Sequence, residues 1–436
     1  MEKYKKLLPS TCSVGKNGQL EISGHNIREL VENWGTPLYL YDAKTILDKI
    51  DYLFQLGADF YPGEFDVTYA SKAYLSLGFA RHLAGSRVGL DVVSLGEMKI
   101  ARKAGFEPER VHLHGNNKSE EELEYGVDWG VSCIVVDSLE ELSFLENMAA
   151  QKGRRIQIWL RITPGVDVDT HPYLQTGHTA SKFGLPIVDG QALSAIRMAR
   201  TSKWLDLSGL HTHIGSQISE ANAFRRAVRM LSEIAAEADF VPQQISTGGG
   251  WGVPYRPEDK VGDPREWVEK VASEIKKEFG SLHWPLPRLV LEPGRWLTAQ
   301  AGLAIYRVGF QKQSREGIHI VAVDGGMADN PRPAMYQARY CAVVVDRPAE
   351  PAIHKASLVG KYCESGDVLI PEVELPEVKR GDLIAIPSAG AYQLSMSSNY
   401  NLAARPAVLW LEQGKVEVLQ ERESPAEKGW WVDCGA

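Results

Sequence analysis

The sequence predicts an α/β fold: a (β/α)8 TIM-type barrel followed by a β-rich domain that forms a sandwich or a barrel. Eight short apolar runs alternate with segments of helical period between about residues 37 and 293. Near residue 300 the alternation stops, and only short strand-like runs follow. The predicted domains are therefore a barrel of residues 36–298 and a β-rich domain made of residues 1–35 and 299–436.

The barrel strands are predicted from runs rich in β-forming residues. After an entry strand at 38–41, they are residues 67–71, 89–93, 111–114, 133–136, 156–162, 207–213, 244–247 and 288–292. The segment 222–238 is typical of the intervening helices, because its apolar residues share one face. Two helices are predicted to begin with capping boxes, Ser119 with Glu122 and Ser138 with Glu141.

The C-terminal third is predicted to be β-rich because turn residues separate its short apolar segments. The predicted strands are residues 303–310, 318–323, 340–345, 367–370, 382–386, 408–412 and 416–419. A further run at 20–22 is expected to pair with this domain.

Charge and composition indicate a cytoplasmic metabolic enzyme and exclude several other classes. The net charge is -8, and no block of basic residues predicts binding to nucleic acid or to a membrane surface. The N-terminus is polar, and no segment approaches the roughly 20 apolar residues of a membrane span. The five cysteines are too few and too widely spaced for a disulfide framework or a metal cluster, so we expect a reducing compartment and no metal.

Polar and charged groups follow nearly every predicted barrel strand. In order they are Lys72, Asp91, His114, Asp137, Arg161, His213, the run Gly248–Gly249–Gly250, and the run Glu292–Pro293–Gly294–Arg295. Because barrel enzymes place their active sites at the C-terminal ends of the strands, this pattern predicts one site at that face.

Taken singly, these residues leave alternatives open. The glycine run suits a phosphate, but a tight turn explains it equally well. Lys72 could form an imine with an aldehyde cofactor, although a solvated lysine is the simpler interpretation. His211 and His213 face the same side of their strand and could bind a metal, but no clear third ligand stands near them in the sequence.

Longer motifs across nearly the whole chain resemble the fold-type III pyridoxal-phosphate decarboxylases, in particular the branch that acts on diaminopimelate. The motifs are Tyr-Ala-Ser-Lys-Ala at 69–73, Gly-Leu-Asp-Val-Val-Ser at 89–94, His-Gly-Asn-Asn-Lys-Ser at 114–119, Thr-Gly at 176–177, Ser-Lys-Phe-Gly at 181–184, His-Thr-His-Ile-Gly-Ser-Gln at 211–217, Gly-Gly-Gly-Trp-Gly at 248–252, Glu-Pro-Gly-Arg at 292–295, Val-Asp-Gly-Gly-Met at 323–327, Asp-Asn-Pro-Arg-Pro-Ala-Met-Tyr at 329–336, Cys-Glu-Ser-Gly-Asp at 363–367, Gly-Ala-Tyr at 390–392 and Ser-Asn-Tyr at 398–400. They occur in the family's order. The resemblance implies an alanine racemase-like barrel.

The resemblance also implies a pyridoxal 5'-phosphate site. Lys72 would hold the cofactor as an imine, His213 would stack on its ring, and Glu292 would keep the ring nitrogen protonated. The phosphate would be bound by Gly248, Gly249, Gly250, Ser216 and Tyr392. Asp91, Arg161, Pro293, Gly294 and Arg295 are further expected cofactor contacts.

On the same resemblance, the substrate is meso-2,6-diaminopimelate, which loses CO2 to give L-lysine in the last step of lysine biosynthesis. Arg295, Arg332 and Tyr336 would neutralise the distal carboxylate. Glu364 and Tyr392 complete the expected substrate set. The enzyme would be a homodimer in which Cys363 and Glu364 reach the neighbouring subunit's site, and Cys363 would protonate the α-carbon.

Two other functions remain open at this stage. Trp296 and Ser71 depart from the family pattern, and Trp296 could reshape the pocket for a D-configured basic amino acid or a polyamine precursor. A non-catalytic cofactor-binding protein could use the same barrel, but such proteins lack the second domain and its Cys363-Glu364 motif.

Overall fold

The computed structural model describes residues 1–165, 181–314 and 317–427. The chain forms two compact units. The barrel unit comprises Lys49–Gly252 and Val261–Trp296, and the β-rich unit comprises Met1–Asp48, Val253–Lys260 and Leu297–Ala436. The Thr-Gly motif at 176–177 and Cys434 lie outside the described residues. The domain boundaries given above, 36–298 for the barrel and 1–35 with 299–436 for the β-rich domain, remain a prediction.

The barrel unit contains the predicted closed parallel barrel. Its eight strands are Phe65–Ala70, Gly89–Val92, Val111–Leu113, Cys133–Val136, Ile156–Thr163, Leu205–His211, Gln244–Ser246 and Arg288–Leu291. Each strand pairs in parallel with the next, and the eighth pairs with the first through Val67 and Leu291. A two-residue strand, Leu185–Pro186, adds to the fifth. The predicted (β/α)8 fold is confirmed.

Helices cover the barrel because their apolar faces pack inward. The helices of the described chain are Ile27–Trp34, Ala43–Phe60, Leu77–Ala84, Leu95–Ala104, Glu120–Trp129, Leu139–Lys152, Gln191–Thr201, Ala221–Glu237, Pro264–Ser281, Arg295–Thr298 and Arg332–Tyr336. Phe224, Val228 and Leu231 are buried on one face of Ala221–Glu237, as predicted. Not one of these helices is both long and apolar enough to cross a membrane.

The two predicted capping boxes differ in the structure. Ser119 and Glu122 form the complete reciprocal pair. Ser138 accepts a hydrogen bond from the Glu141 amide, but the Glu141 carboxylate instead pairs with the Lys118 ammonium at 2.7 Å. That ammonium is buried and also donates to the carbonyls of Gly115 and Val135. Lys118 therefore links the turn after the third barrel strand to the fourth strand and to the helix that follows it.

Replacing Lys118 with methionine should destabilise the protein strongly, because it leaves the Glu141 carboxylate buried without its partner. The Lys118 side chain is 1% exposed and that of Glu141 8%. Breaking such a pair typically costs about 3–5 kcal/mol in the free energy of unfolding. Urea unfolding measures this. Replacing Glu141 with leucine in the same variant should restore most of the loss, and a loss under about 1 kcal/mol in the single variant would contradict the assignment.

The β-rich unit is built on one branched sheet. Its strands in spatial order are Val368–Leu375, His354–Val359, His319–Val323, Gly302–Gln313, Leu38–Asp42, Ala407–Glu412 and Lys415–Gln420, with Leu383–Ile386 and Val343–Val344 branching from Gly302–Gln313. Leu38–Asp42, predicted as the barrel's entry strand, pairs on both sides with strands of this sheet. All five of its residues are buried, which a central strand requires.

The N-terminal residues belong to the β-rich unit. Ser13–Val14, Leu20–Ile22 and His25–Asn26 form a small antiparallel sheet, and the Leu20 amide donates to the Val345 carbonyl. Leu20 and Ile22 lie in one buried apolar cluster with Leu303 and Leu409. Run 20–22 thus pairs within its own small sheet and joins the β-rich unit through this hydrogen bond and the apolar cluster, not as a strand of the larger sheet. The strand His354–Val359 was not predicted, although its buried residues alternate with a lysine and a serine, as is typical of a half-buried strand.

Candidate active site

The C-terminal ends of the barrel strands bring the predicted polar residues together. Glu292 follows the eighth strand and is 7% exposed. Nε2 of His211, which ends the sixth strand, lies 2.9 Å from one carboxylate oxygen of Glu292. The Ser246 hydroxyl, at the end of the seventh strand, donates to the other oxygen at 2.5 Å. Side chains from three strands therefore meet at one carboxylate.

Glu292 is held in its charged form. Burial alone would raise the pKa of Glu292, but the neighbouring His211 and His114 and the hydrogen bonds from His211 and Ser246 lower it well below its ordinary value. Burial also lowers the pKa of His211 to about 4. His211 is therefore neutral at neutral pH, and its single N–H is the Nε2 proton donated to Glu292.

We expect this His211–Glu292 pair to make folding stability pH-dependent below neutrality. An unfolded His211 binds a proton near its ordinary pKa of 6.5, whereas the folded protein resists protonation down to about pH 4. The unfolded state therefore binds more protons in this window, and stability falls as the pH is lowered. One such proton corresponds to about 1.4 kcal/mol per pH unit.

Urea unfolding between pH 4 and 7 measures this slope. His211→Gln keeps an N–H donor but does not titrate, so it should show a slope lower by about one proton. Equal slopes in the two proteins would contradict the assignment.

Three further buried groups lie beside Glu292. Oδ1 of Asp91 is 3.5 Å from Nδ1 of His112 and 3.4 Å from Nε2 of His114. His114 Nε2 is also 3.9 Å from Glu292. Asp91, His112 and His114 could together offer three metal ligands, and so could His114, His211 and Glu292. The sequence showed no clear third metal ligand for His211, and the structure brings His114 and Glu292 beside it. Neither group of possible ligands contains His213.

The glycine run forms a tight turn after the strand Gln244–Ser246. Gly248 and Gly250 have φ angles of 67° and 99°, which favour glycine. A Cβ atom on Gly249 would lie 2.1 Å from the Glu292 carbonyl oxygen, and one on Gly250 would lie 2.1 Å from that of Gly215. The turn therefore leaves no room for side chains at Gly249 and Gly250, and it presents only backbone groups, as an anion site at this position requires.

Lys72 lies just after the first strand, in a one-turn 3-10 helix, Ser71–Ala73. It is exposed, and its charge acts on His213. Burial, followed by the charges of Lys72 and Arg161, lowers the pKa of His213 well below its ordinary value. An uncharged imidazole and a primary amine are therefore neighbours at this face of the barrel.

Arg161 lies on the fifth strand, with Nε 3.9 Å from Asp137 Oδ1 and the guanidinium 4.4 Å from the centre of the Phe183 ring. Burial lowers the pKa of Arg161. Asp137 accepts a hydrogen bond from the Gly184 amide at 3.0 Å. The Ser-Lys-Phe-Gly segment thus packs on this ion pair, which explains why that motif accompanies the strand-end residues.

The residues after Glu292 pack against the start of the barrel. The Pro293 carbonyl accepts from the Ala70 amide at 3.4 Å, and a Cβ atom on Gly294 would lie 3.2 Å from Ala70. Arg295 is 5% exposed and donates to the Ser216 hydroxyl at 3.0 Å. Pro293 and Gly294 thus have a packing role, whereas Arg295 and Ser216 form a polar pair.

Trp296, the departure from the family pattern, is buried in an aromatic cluster of the barrel unit. Its ring meets Trp251 edge-on at 6.1 Å, and the Lys49 ammonium lies 4.7 Å above it. Trp251 in turn stacks on Trp267 at 5.2 Å. Packing within the barrel unit therefore accounts for this bulky side chain.

The remaining predicted residues lie in the β-rich unit. Arg332 begins the short helix Arg332–Tyr336, is 4% exposed, and donates to the Tyr340 hydroxyl at 2.5 Å. Its guanidinium lies 4.8 Å from the centre of the Tyr255 ring. Two tyrosines therefore hold Arg332 in place, and Tyr336 follows it one helical turn later.

Cys363, Glu364 and Tyr392 also lie in the β-rich unit. Cys363 and Glu364 are exposed on one loop, and Asn401 accepts a hydrogen bond from the Cys363 amide at 3.2 Å. Tyr392 has a φ of 62°, a left-handed conformation that is uncommon for a tyrosine. Such backbone strain clusters at functional sites.

A family model for the pyridoxal-binding domain of pyridoxal-dependent decarboxylases matches residues 47–299. The chain belongs to the pyridoxal-dependent decarboxylases. It is 41% identical over 423 residues to the diaminopimelate decarboxylase of Bacillus subtilis, covering 96% of each protein. It is also similar to a crystal structure of diaminopimelate decarboxylase from M. jannaschii in complex with L-lysine, with a TM-score of 0.89, 32% identity and 96% of each chain covered.

A second solved structure shares the fold alone. The lysine/ornithine decarboxylase of Vibrio vulnificus in complex with putrescine has a TM-score of 0.73 but only 22% identity, over 89% of this chain and 97% of that one. The full-length relatives thus assign this pyridoxal-dependent decarboxylase to the diaminopimelate decarboxylase branch.

The residues at the barrel face fit the cofactor of this decarboxylase family, pyridoxal phosphate. An amine is available at Lys72, the ionised Glu292 suits a protonated ring nitrogen, and the glycine turn suits a phosphate. Each group lies at a strand end of the same barrel. The chemistry of the donor set therefore agrees with the family.

Sequence analysis did not identify the residues that hold Glu292. His211 was considered only as a metal ligand, and Ser246 was not singled out. The signal for His211 was its position two residues before His213, although the strand ends at His211 and His213 lies just beyond it. No local signal pointed to Ser246, because its bond to Glu292 joins residues 46 positions apart.

Proposed function

We propose that this protein decarboxylates meso-2,6-diaminopimelate at its α-carbon, giving L-lysine and CO2 in the last step of lysine biosynthesis. The similarity to the Bacillus subtilis diaminopimelate decarboxylase, over 96% of both chains, carries the proposal. The L-lysine in the related M. jannaschii complex is the product of this reaction.

When bound, pyridoxal phosphate supplies a cationic ring that withdraws the electron pair left by the departing carboxylate. Lys72 would attach it through the ε-amine, and His213 would pack its neutral ring against it. Glu292 would keep a proton on the ring nitrogen. The contacts of His211 and Ser246 support this role, because they hold Glu292 charged and in one orientation.

The phosphate is proposed to bind Gly248, Gly249, Gly250, Ser216 and Tyr392. The absence of side chains in the turn supports the assignment of the three glycines as phosphate contacts. The hydrogen bond from Arg295 to Ser216 places a positive charge beside the Ser216 hydroxyl, which supports the assignment of Ser216. Asp91, Arg161, Pro293 and Gly294 remain proposed cofactor contacts, Asp91 and Arg161 through charge and the other two through packing.

The distal carboxylate of the substrate is proposed to bind Arg295, Arg332 and Tyr336, with Glu364 receiving the distal ammonium and Tyr392 completing the pocket. A guanidinium can grip a carboxylate with two charge-assisted hydrogen bonds. Arg332 is buried and held by Tyr340 and Tyr255, which reduces the entropy lost on binding.

We propose a homodimer in which Cys363 and Glu364 serve the partner's site, with Cys363 donating a proton to the α-carbon in place of the lost carboxylate. The exposure of this loop in a single chain supports this arrangement. We also propose a cytoplasmic location. Four cysteines of the described chain are free, which suits a reducing compartment.

Steady-state CO2 release from meso-diaminopimelate, L-lysine, L-ornithine, L-arginine and D-lysine tests the function. We expect kcat/KM for diaminopimelate to exceed the others by about 10⁴-fold, because a diamine with one carboxylate leaves buried arginines without an anion. Faster turnover of any monocarboxylate, or of a D-configured basic amino acid, would overturn the substrate assignment.

A further inference from the structure

Asp367 ties together two segments of the β-rich unit. The residue is 4% exposed, and each of its carboxylate oxygens accepts a backbone N–H. Oδ1 accepts from Met327 at 2.6 Å, and Oδ2 accepts from Tyr362 at 2.8 Å. One side chain therefore joins the turn at 325–327 to the loop at 360–367.

Two glycines make room for this carboxylate. A Cβ atom on Gly326 would lie 2.3 Å from Oδ1 of Asp367, and one on Gly360 would lie 2.2 Å from Oδ2. Gly326 also has a φ of 155°. A larger residue at either position would displace the carboxylate, so both segments are shaped around Asp367.

Further backbone contacts close the base of the same loop. The Lys361 amide donates to the Gly325 carbonyl at 3.2 Å, and the Gly360 amide donates to the Asp367 carbonyl at 2.9 Å. The Asp367 amide donates to the Glu364 carbonyl at 3.0 Å. Cys363 and Glu364 therefore stand at the tip of a loop whose base is fixed by Asp367.

The second segment also leads to a proposed substrate contact. Four residues separate Met327 from Arg332, the first residue of the helix Arg332–Tyr336. We propose that Asp367 is a positioning residue that sets the Cys363–Glu364 loop relative to the turn at 325–327, which precedes Arg332. This inference rests on the proposed function, because it assigns Asp367 to the placement of proposed catalytic and substrate-binding groups.

The variant Asp367→Asn tests the inference with almost no change in shape. An amide group has one acceptor oxygen and one NH2 donor, so one of the two backbone N–H groups loses its acceptor. We expect faster hydrogen exchange at the one amide, of Met327 or of Tyr362, that then faces the NH2 group. We also expect kcat for meso-diaminopimelate to fall by about 10- to 100-fold, because small misplacements of reacting groups are costly, with unchanged cofactor absorbance.

A second pair of variants tests the same link from the glycine side. Gly360→Ala should reproduce the effects of Asp367→Asn, because the new Cβ would meet Oδ2. The matched control is Gly366→Ala in the same loop, where an added Cβ has no neighbour within 4 Å. It should retain turnover and exchange rates.

The inference is overturned if Asp367→Asn keeps wild-type turnover, whether or not exchange accelerates. It is also overturned if turnover falls only together with cofactor absorbance, since that indicates general destabilisation. The exchange measurement needs no substrate. If the wild-type protein fails to decarboxylate diaminopimelate, the proposed function is wrong. The hydrogen bonds of Asp367 can still be measured by hydrogen exchange in that case.

Discussion

Replacing Lys72 with alanine is expected to abolish the absorbance of bound cofactor and to lower kcat by about 10⁴-fold or more. A covalent link holds the reacting groups together at effective concentrations of roughly 10⁵ M and above, which a free cofactor does not reach. The position of Lys72 at a barrel strand end and the action of its charge on His213 support this proposed role. Visible absorbance of the purified variant, with and without added pyridoxal phosphate, is the direct measurement.

Two controls separate attachment from charge and from folding. Lys72→Arg keeps the positive charge but offers no amine of comparable reactivity, so it should behave like Lys72→Ala. Lys99→Ala, at an exposed position on Leu95–Ala104, should retain absorbance and turnover. Borohydride reduction followed by peptide mass analysis identifies the attached residue. A cofactor adduct on any other lysine of the wild-type protein would refute the assignment.

The barrel could be predicted from sequence because each of its strands is short, apolar and followed by a helix. Leu38–Asp42 shows where this reasoning ends. Its apolar pattern is the same whether it pairs with a barrel strand or, as observed, with Gly302–Gln313 and Ala407–Glu412. Strand partners far apart in the chain are chosen by tertiary packing, which a local pattern does not encode.

For the site, sequence reasoning located the face but not the contacts within it. The strand-end positions of Glu292, His213 and the glycine turn follow from the barrel topology. The bonds of Glu292 to His211 and Ser246 depend on side-chain directions on neighbouring strands. Glu141 is a further case: the spacing from Ser138 predicts a capping box, but a nearby buried ammonium competes successfully for its carboxylate.

Replacing Arg332 with methionine is expected to lower kcat/KM for meso-diaminopimelate by roughly 30- to 4,000-fold. The truncation removes one partner of the proposed charge pair with the distal carboxylate, and losing one partner of a buried charge pair costs about 2–5 kcal/mol. Methionine fills a similar volume and can still pack against Tyr255 and Tyr340, so folding should be largely preserved. Steady-state kinetics across a range of substrate concentrations provides both constants.

The matched control for Arg332→Met is Arg339→Met, which removes a guanidinium from an exposed position on the same segment. It should change kcat/KM by less than about twofold, because exposed charges contribute little. Cofactor absorbance should stay intact in both variants, since the proposed cofactor contacts of the barrel do not include Arg332. If Arg332→Met decarboxylates diaminopimelate as fast as the wild type, Arg332 does not bind the distal carboxylate. Another cationic residue would then have to bind that carboxylate to give selectivity for a dicarboxylate.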